Sequence, residues 1–238
     1  RFWLGIQKEA EYSGYYTIVS RLNPAESIPE IVRLGKVDGL IVECDVTKKW
    51  LRDVSNIMPV VLLERIAEDN VVDSVMPDHI TGMQKIVAFL SSLGHRTIAL
   101  FGVKPFNRYS KEIAEGYLSA IQRYGIAFAP DLFRTPERAS GSFDENERIA
   151  EIERFAEQAI VDWSRKNNPP TAVVAMGDVY AIPFIKAARR LGLDVPQRVS
   201  VTGIDDSPAA RMASPTLTSL GKPMEAMGEC VANLLLKR

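Results

Sequence analysis

The feature that most constrains this chain is a succession of short, unbroken apolar runs separated by helical patterns. The runs are Leu40-Ile41-Val42, Pro59-Val60-Val61-Leu62-Leu63, Thr97-Ile98-Ala99-Leu100-Phe101, Thr171-Ala172-Val173-Val174-Ala175 and Val199-Ser200-Val201-Thr202-Gly203. None alternates apolar with polar residues, so each reads as a strand covered on both faces, as in a parallel sheet. The first follows the turn signal Val37-Asp38-Gly39.

The intervening segments carry helical periodicity. From Ile80 to Leu93, apolar residues recur at Ile80, Met83, Val87 and Leu90, with Asp78 placed to cap the start and Gly94 to end it. The segment Tyr180 to Leu191 repeats the plan between Asp178 and Gly192, although Pro183 removes a helix hydrogen bond. From about Glu145 to Lys166, one stripe holds Ile149, Ile152, Ala156, Ile160 and Trp163, and Asn167-Asn168-Pro169-Pro170 ends the helix. Phe2 to Gly14 and Met224 to Lys237 are also helical. Repeated strand–helix–strand units demand right-handed crossovers and parallel sheets sandwiched by helices. The expected class is therefore α/β, and the number of units favours two sheets over one.

The 238 residues suffice for one large domain or two smaller ones, and 46% hydrophobic with 25% charged residues is ordinary for a globular chain. A formal net charge of −1 with no basic run gives no footprint for nucleic acid on these residues. No apolar stretch is long enough to span a membrane. Cys44 and Cys230 read as buried free thiols rather than a disulfide. The opening Arg1-Phe2-Trp3-Leu4-Gly5 resembles the middle of a helix more than a signal peptide or a natural start.

Catalytic signatures are absent: no phosphate-binding loop, dinucleotide fingerprint, nucleophile elbow or zinc-protease motif occurs, and no Cys/His cluster has metal-ligand spacing. The chain is expected to be a binding protein without a cofactor, not an enzyme. His95, in the turn Leu93-Gly94-His95-Arg96, reads as a residue bonding the backbone. Polar groups instead collect just after the apolar runs, where open α/β sheets bind ligands. They are Glu64-Arg65, Asp78, Asp178 and Asp205-Asp206. Asp178 reads as a helix cap, and Asp206-Ser207-Pro208 as a cap with proline in the first turn. Glu64 and Asp205 have no such local duty and stand as ligand-binding candidates.

Ser74-Val75-Met76-Pro77-Asp78-His79-Ile80-Thr81-Gly82, continuing to Leu93-Gly94-His95-Arg96-Thr97-Ile98-Ala99, resembles the segment joining the lobes of LacI/GalR-type repressors. Val199 to Asp206 followed by Ser214-Pro215-Thr216-Leu217-Thr218-Ser219-Leu220 is similar to that family's later strand and crossover, and the resemblance covers nearly the whole chain. It implies two Rossmann-like lobes of the periplasmic-binding-protein type. Residues 1–76 with 222–238 would form the N-terminal lobe and 77–221 the C-terminal lobe. The family's first strand, its final strands and its helix-turn-helix are expected to lie outside this chain. The resemblance further implies a cytoplasmic homodimer, a small-molecule effector between the lobes, and operator DNA held by the separate domain. Met224, Met227, Val231, Leu234 and Leu235 form a stripe for core packing or, alternatively, for a partner.

Carried over by resemblance, Glu64 and Asp205 are acidic residues that bond ligand hydroxyls; Arg65 and Asp78 are further ligand-binding candidates from their places after apolar runs. Phe143 is either a stacking platform or a core aromatic. Two positions depart from the family pattern: Ile113 stands where an arginine is usual, and Gly177 where Asn or Ser is usual. A charge-assisted hydrogen bond is worth roughly 1.5–3 kcal/mol, so these losses matter. Either the ligand differs from the usual sugars, being more apolar or contacted through Arg108 or Lys222, or the pocket is degenerate. A solute-binding protein for sugar transport is the alternative on the same fold. An enzyme using Glu64 and Asp205 as an acid–base pair is a further one, for which no nucleophile or cofactor motif is found.

Overall fold

The apolar runs become parallel strands. The computed structural model describes residues 1–22, 28–67, 71–102, 108–134 and 144–238. In chain order it contains α1 (Phe2–Tyr12), α2 (Glu30–Arg33), β1 (Leu40–Val42), α3 (Lys48–Ser55), β2 (Val60–Leu63), β3 (Asp73–Val75) and α4 (His79–Ser92). Then come β4 (Ile98–Phe101), α5 (Arg108–Arg123), β5 (Phe133–Arg134), α6 (Glu145–Ser164) and β6 (Ala172–Ala175). The chain ends with α7 (Asp178–Arg190), β7 (Ser200–Ile204), α8 (Pro208–Met212), β8 (Thr218–Leu220) and α9 (Met224–Leu236). It divides into two compact units, Arg1–Pro77 with Pro223–Arg238, and Asp78–Lys222.

The first unit holds the parallel sheet β1-β2-β3. Its central strand β2 is buried at every position, which is why Val60-Val61-Leu62-Leu63 shows no polar alternation. Val42, Val60 and Leu62 pack with Trp50, Leu51 and Val54 of α3, whereas Val61, Leu63 and Val75 pack with Ile6 of α1 and Met227 and Val231 of α9. The α9 stripe thus lies in this unit's core, with Leu234 and Leu235 half-buried against it.

The second unit holds the parallel sheet β5-β4-β6-β7-β8. Ala99, Phe101, Val173 and Ala175 share one core with Ala156, Ile160 and Phe184 of α6 and α7. Ile98, Leu100 and Val174 face the opposite core with Met83, Val87, Ile113 and Tyr117 of α4 and α5. A Cβ on Gly116 would crowd the Ile80 carbonyl, so glycine lets α5 lie directly on α4. Tyr117 next to it is fully buried and donates its hydroxyl to the Ile98 carbonyl at 2.6 Å.

Local signals hold at several helix ends. Asp78 accepts the Thr81 amide at 2.9 Å at the start of α4, and Asp144 caps α6. Gly94 and Gly192 follow α4 and α7 with φ of 92° and 72°. Pro183 is accommodated inside a continuous α7. Three expectations are corrected. His95 bonds side-chain hydroxyls, not backbone: its Nδ1 lies 2.9 Å from Thr171 Oγ1 and its Nε2 3.0 Å from Ser200 Oγ. It therefore ties together the segments that lead into β4, β6 and β7. Both cysteines are free, but Cys44 is half-buried and Cys230 exposed, because Cys230 lies off the core-facing stripe of α9. Asp178 does not cap its own helix, as described next.

Candidate functional site

Parallel strands deliver their carboxyl ends to the same edge of a sheet, so the residues following them cluster. In the first unit Glu64 follows β2 with φ of 55°, and its amide donates to the Val75 carbonyl at 2.9 Å, extending the pairing with β3. Arg65 turns back on this strand end. Its Nη1 donates to the Glu64 carbonyl at 2.7 Å, and its Nε lies 2.8 Å from Asp45 Oδ1. Arg65 and Asp45 line a small pocket of about 140 Å³ with Cys44, Lys48, Leu51, Leu62 and Ala67. Burial pushes the Cys44 thiol above its ordinary pKa.

In the second unit the cluster is denser. Asp205 follows β7 with φ of 113°, and Asp206 has φ of 45°. The Asp205 amide donates to the Leu220 carbonyl at 2.8 Å, and the Asp206 amide to Ser219 Oγ at 2.9 Å. Both bonds fix this turn to β8. The Asp205 carboxylate pairs with Lys222 at 2.8 Å, where the ammonium is nearly buried, with 13% of its side chain exposed. Asp206 is engaged by Arg211, whose Nε donates to Oδ1 at 3.1 Å, and Ser207 caps α8 by accepting the Ala210 amide.

Asp178 lies beneath this turn, 2% exposed. Gly177 is the N-cap of α7, and the Asp178 side chain bonds elsewhere. Its Oδ2 accepts the Ser207 amide at 2.7 Å and its Oδ1 accepts the Ser219 hydroxyl at 2.6 Å. The capping reading of Asp178 is thus corrected: its partners are the turn after β7 and the strand β8. A Cβ on Gly203 would overlap Asp178 Oδ1, so that glycine admits the carboxylate.

The other candidates are distributed unevenly. Asp78 is exposed and serves as the α4 cap, its carboxyl held below the usual range by the Thr81 hydroxyl and amide. Arg108 opens α5, its side chain lying outside the described residues, and Phe143 falls outside them altogether. Ile113, in the usual arginine's place, is a core residue at 1% exposure. Sequence reasoning missed Ser219, Ser207 and Tyr180. The first two lie in β8 and at the α8 cap, and only the sheet order β6-β7-β8 brings them to Asp178. Tyr180, half-buried, packs its ring over Gly102 after β4 and edge-on to Phe101, with centroids 6.4 Å apart. Burial raises the pKa of its phenol, against the opposing field of Arg148.

In the second unit these groups form a polar floor at the strand ends. It offers carboxylate acceptors, one ammonium and an aromatic ring, but no positioned nucleophile among the described residues. Such a set suits reversible recognition of a hydroxylated or amino-bearing small molecule.

Residues 87–238 match the periplasmic binding protein-like domain family. The chain is 28% identical over 236 residues to the HTH-type transcriptional repressor PurR of Yersinia pestis, covering 95% of this chain and 65% of that protein. It therefore spans about two thirds, strictly 65%, of the length of the curated relatives it matches. A sugar-binding transcriptional regulator of the LacI family from Escherichia coli, solved with phosphate, is similar with a TM-score of 0.69 and 26% identity, over 87% of this chain and 70% of that one. A LacI-family regulatory protein from Chloroflexus aggregans shares the fold at a TM-score of 0.80 and 23% identity, over 99% of this chain and 82% of that one.

Proposed function

The chain belongs to the periplasmic binding protein-like domain family, as a ligand-binding domain of the LacI/GalR type, and from that premise we propose that it is the effector-binding core of a transcriptional regulator. A small molecule binds between the two units, contacted by Glu64 from one and by Asp205 from the other. Its occupancy biases their arrangement, and a homodimer transmits that bias to operator DNA held by a separate domain in the cytoplasm. Arg65 and Lys222 act through their carboxylate partners. Phe143, Asp78 and Arg108 are candidate contributors from neighbouring segments. The chain acts as a binder and not as an enzyme.

The observation that carries this reading is backbone strain. Among the described residues, the non-glycine positions with positive φ are Glu64 and Asp205, each immediately after a parallel strand, and Asp206, which follows Asp205. Such a conformation costs about 1–3 kcal/mol per residue and persists where the surroundings enforce it, often at ligand sites. Here it turns acidic side chains away from the direction a continuing strand would give them. The sugar-binding relative from Escherichia coli adds support for a hydroxylated ligand.

Calorimetric titration of the protein against a panel of sugars and nucleosides tests the reading, with operator affinity of the full-length regulator followed in parallel. A bound effector should change operator affinity five- to about 150-fold, a coupling of about 1–3 kcal/mol. Binding that never alters DNA affinity overturns the regulator mechanism. Binding that survives both Glu64→Ala and Asp205→Ala overturns the site.

A further inference from the structure

We propose that Asp178 is a positioning residue for ligand recognition: without touching the ligand, it sets the direction in which the Asp205 carboxylate is presented. The inference rests on the reading of Asp205 as a ligand contact and names the buried group that holds this contact in place.

Asp205 and Asp206 are consecutive non-glycine residues with φ of 113° and 45°. Side chains disfavour positive φ, so a pair of this kind relaxes to ordinary backbone unless its surroundings forbid it. Relaxation would swing the Asp205 side chain away from Lys222, its partner at 2.8 Å. Something outside the turn must hold it.

Three successive amides carry the restraint, and each donates to a different acceptor. Asp205 donates to the Leu220 carbonyl at 2.8 Å, Asp206 to Ser219 Oγ at 2.9 Å and Ser207 to Asp178 Oδ2 at 2.7 Å. The first bond continues the pairing of β7 with β8 and needs no side chain. The other two meet at Asp178. It accepts the Ser207 amide directly, and its Oδ1 accepts the Ser219 hydroxyl at 2.6 Å. A hydroxyl has one proton and two acceptor lone pairs. Committing the Ser219 proton to Asp178 leaves a lone pair for the Asp206 amide. One carboxylate thus orients both restraints, the second of them through Ser219.

The anchor is firm where the turn is not. Asp178 is 2% exposed, so water has little access to replace either bond. It stands in the first turn of α7, which is seated in the core through Ala181, Phe184 and Ile185. Gly203 in β7 leaves room for it, since a Cβ there would overlap Asp178 Oδ1. Asp205 to Ser207 are only half-buried. A buried carboxylate on a packed helix therefore holds an accessible one on a strained turn, the arrangement by which supporting residues fix a binding group.

The test compares Asp178→Ala, Asp178→Asn and Ser219→Ala with wild type in the whole protein. Crystal structures give φ at Asp205 and its separation from Lys222, and calorimetry gives the affinity of whichever of D-ribose, D-glucose and adenosine binds wild type. Alanine at 178 removes both restraints: Asp205 should leave its positive φ or part from Lys222, and affinity should fall about tenfold or more. Asparagine can accept the Ser207 amide and donate to Ser219 Oγ, which still accepts from Asp206. Asp178→Asn should therefore keep the turn and stay within about threefold of wild type. Ser219→Ala removes the relay alone and should fall between the two. Should Asp178→Ala fail to fold, Ser219→Ala must still bind more weakly than Asp178→Asn. Asp205 unmoved in Asp178→Ala overturns the positioning role whether or not any probe binds, and leaves the ligand site standing. Equal loss in Asp178→Asn and Asp178→Ala overturns it too, because the rescue by geometry is then missing. Asp205 displaced with affinity unchanged overturns instead the reading of Asp205 as a ligand contact, and the recognition role of Asp178 with it.

Discussion

Gly5 on α1 and Gly228 on α9 are reciprocal contact points: a Cβ on Gly5 would overlap the Glu225 carbonyl, and one on Gly228 would overlap the Phe2 carbonyl. The two helices therefore meet backbone to backbone and cover one face of the sheet β1-β2-β3 together. Lys8 and Glu229, paired at 2.6 Å, fasten the rim of the same crossing. As a mostly exposed pair it contributes little beside the packing.

Gly228→Ala should push the helices apart and strain Val231 and Met227 out of their seats on β2 and β3. Overpacking of this kind costs about 1–3 kcal/mol. A fall in the urea midpoint with an unchanged slope checks it. An unchanged midpoint would mean that the crossing relaxes freely.

Asp178→Ala should unsettle the turn after β7 without emptying the core. It leaves the Ser207 amide and the Ser219 hydroxyl without their acceptor. Each charge-assisted bond is worth about 1.5–3 kcal/mol, so a loss of roughly 2–4 kcal/mol is expected for the pair. Faster hydrogen exchange at the Ser207 amide is the specific readout. Protection equal to wild type would show that Asp178 does not hold the turn.

Two buried hydroxyls should respond in opposite ways to removal. Tyr117→Phe strips the Ile98 carbonyl of a donor and should cost about 1–2 kcal/mol. Thr202, 3% exposed in β7, has a hydroxyl with no hydrogen-bond partner among the described residues. Thr202→Val replaces it at nearly the same shape and should be neutral or stabilising by up to about 1 kcal/mol. Chemical denaturation of both variants decides the matter, and destabilisation by Thr202→Val would show that the hydroxyl has a partner.

Acidification should weaken the second unit through His95. Partial burial lowers its pKa below the ordinary 6.5. Below that ordinary value the unfolded chain binds the proton more readily than the folded one. The stabilisation is thus complete above about pH 7.5 and is lost as pH falls through the depressed folded value. Denaturant midpoints of wild type and His95→Gln, measured between about pH 7.5 and about pH 5.5, should converge on acidification. Parallel profiles would remove His95 as the cause.

The sequence by itself determined the main apolar strands, the helices α1, α4, α6, α7 and α9, and the sheet class. Two-sided burial left unbroken apolar runs at β1, β2, β4 and β6. The stripe of α6 and the cap at Asp78 are also written in residues within one or two turns of each other, because helix periodicity and capping are local interactions. The resemblance to LacI/GalR regulators was legible for the same reason, in the order and spacing of such segments.

Only the tertiary structure decided the polar partnerships. Asp178 reads locally as a cap, yet its acceptor oxygens serve Ser207 and Ser219, which are 29 and 41 residues away. Asp205 and Lys222 meet because β7 and β8 lie side by side and end at one edge. A sequence records which residues are polar and where a strand stops. Which carboxylate faces which donor depends on strand order and on the backbone turning to positive φ at Glu64, Asp205 and Asp206, and the packed sheet sets both.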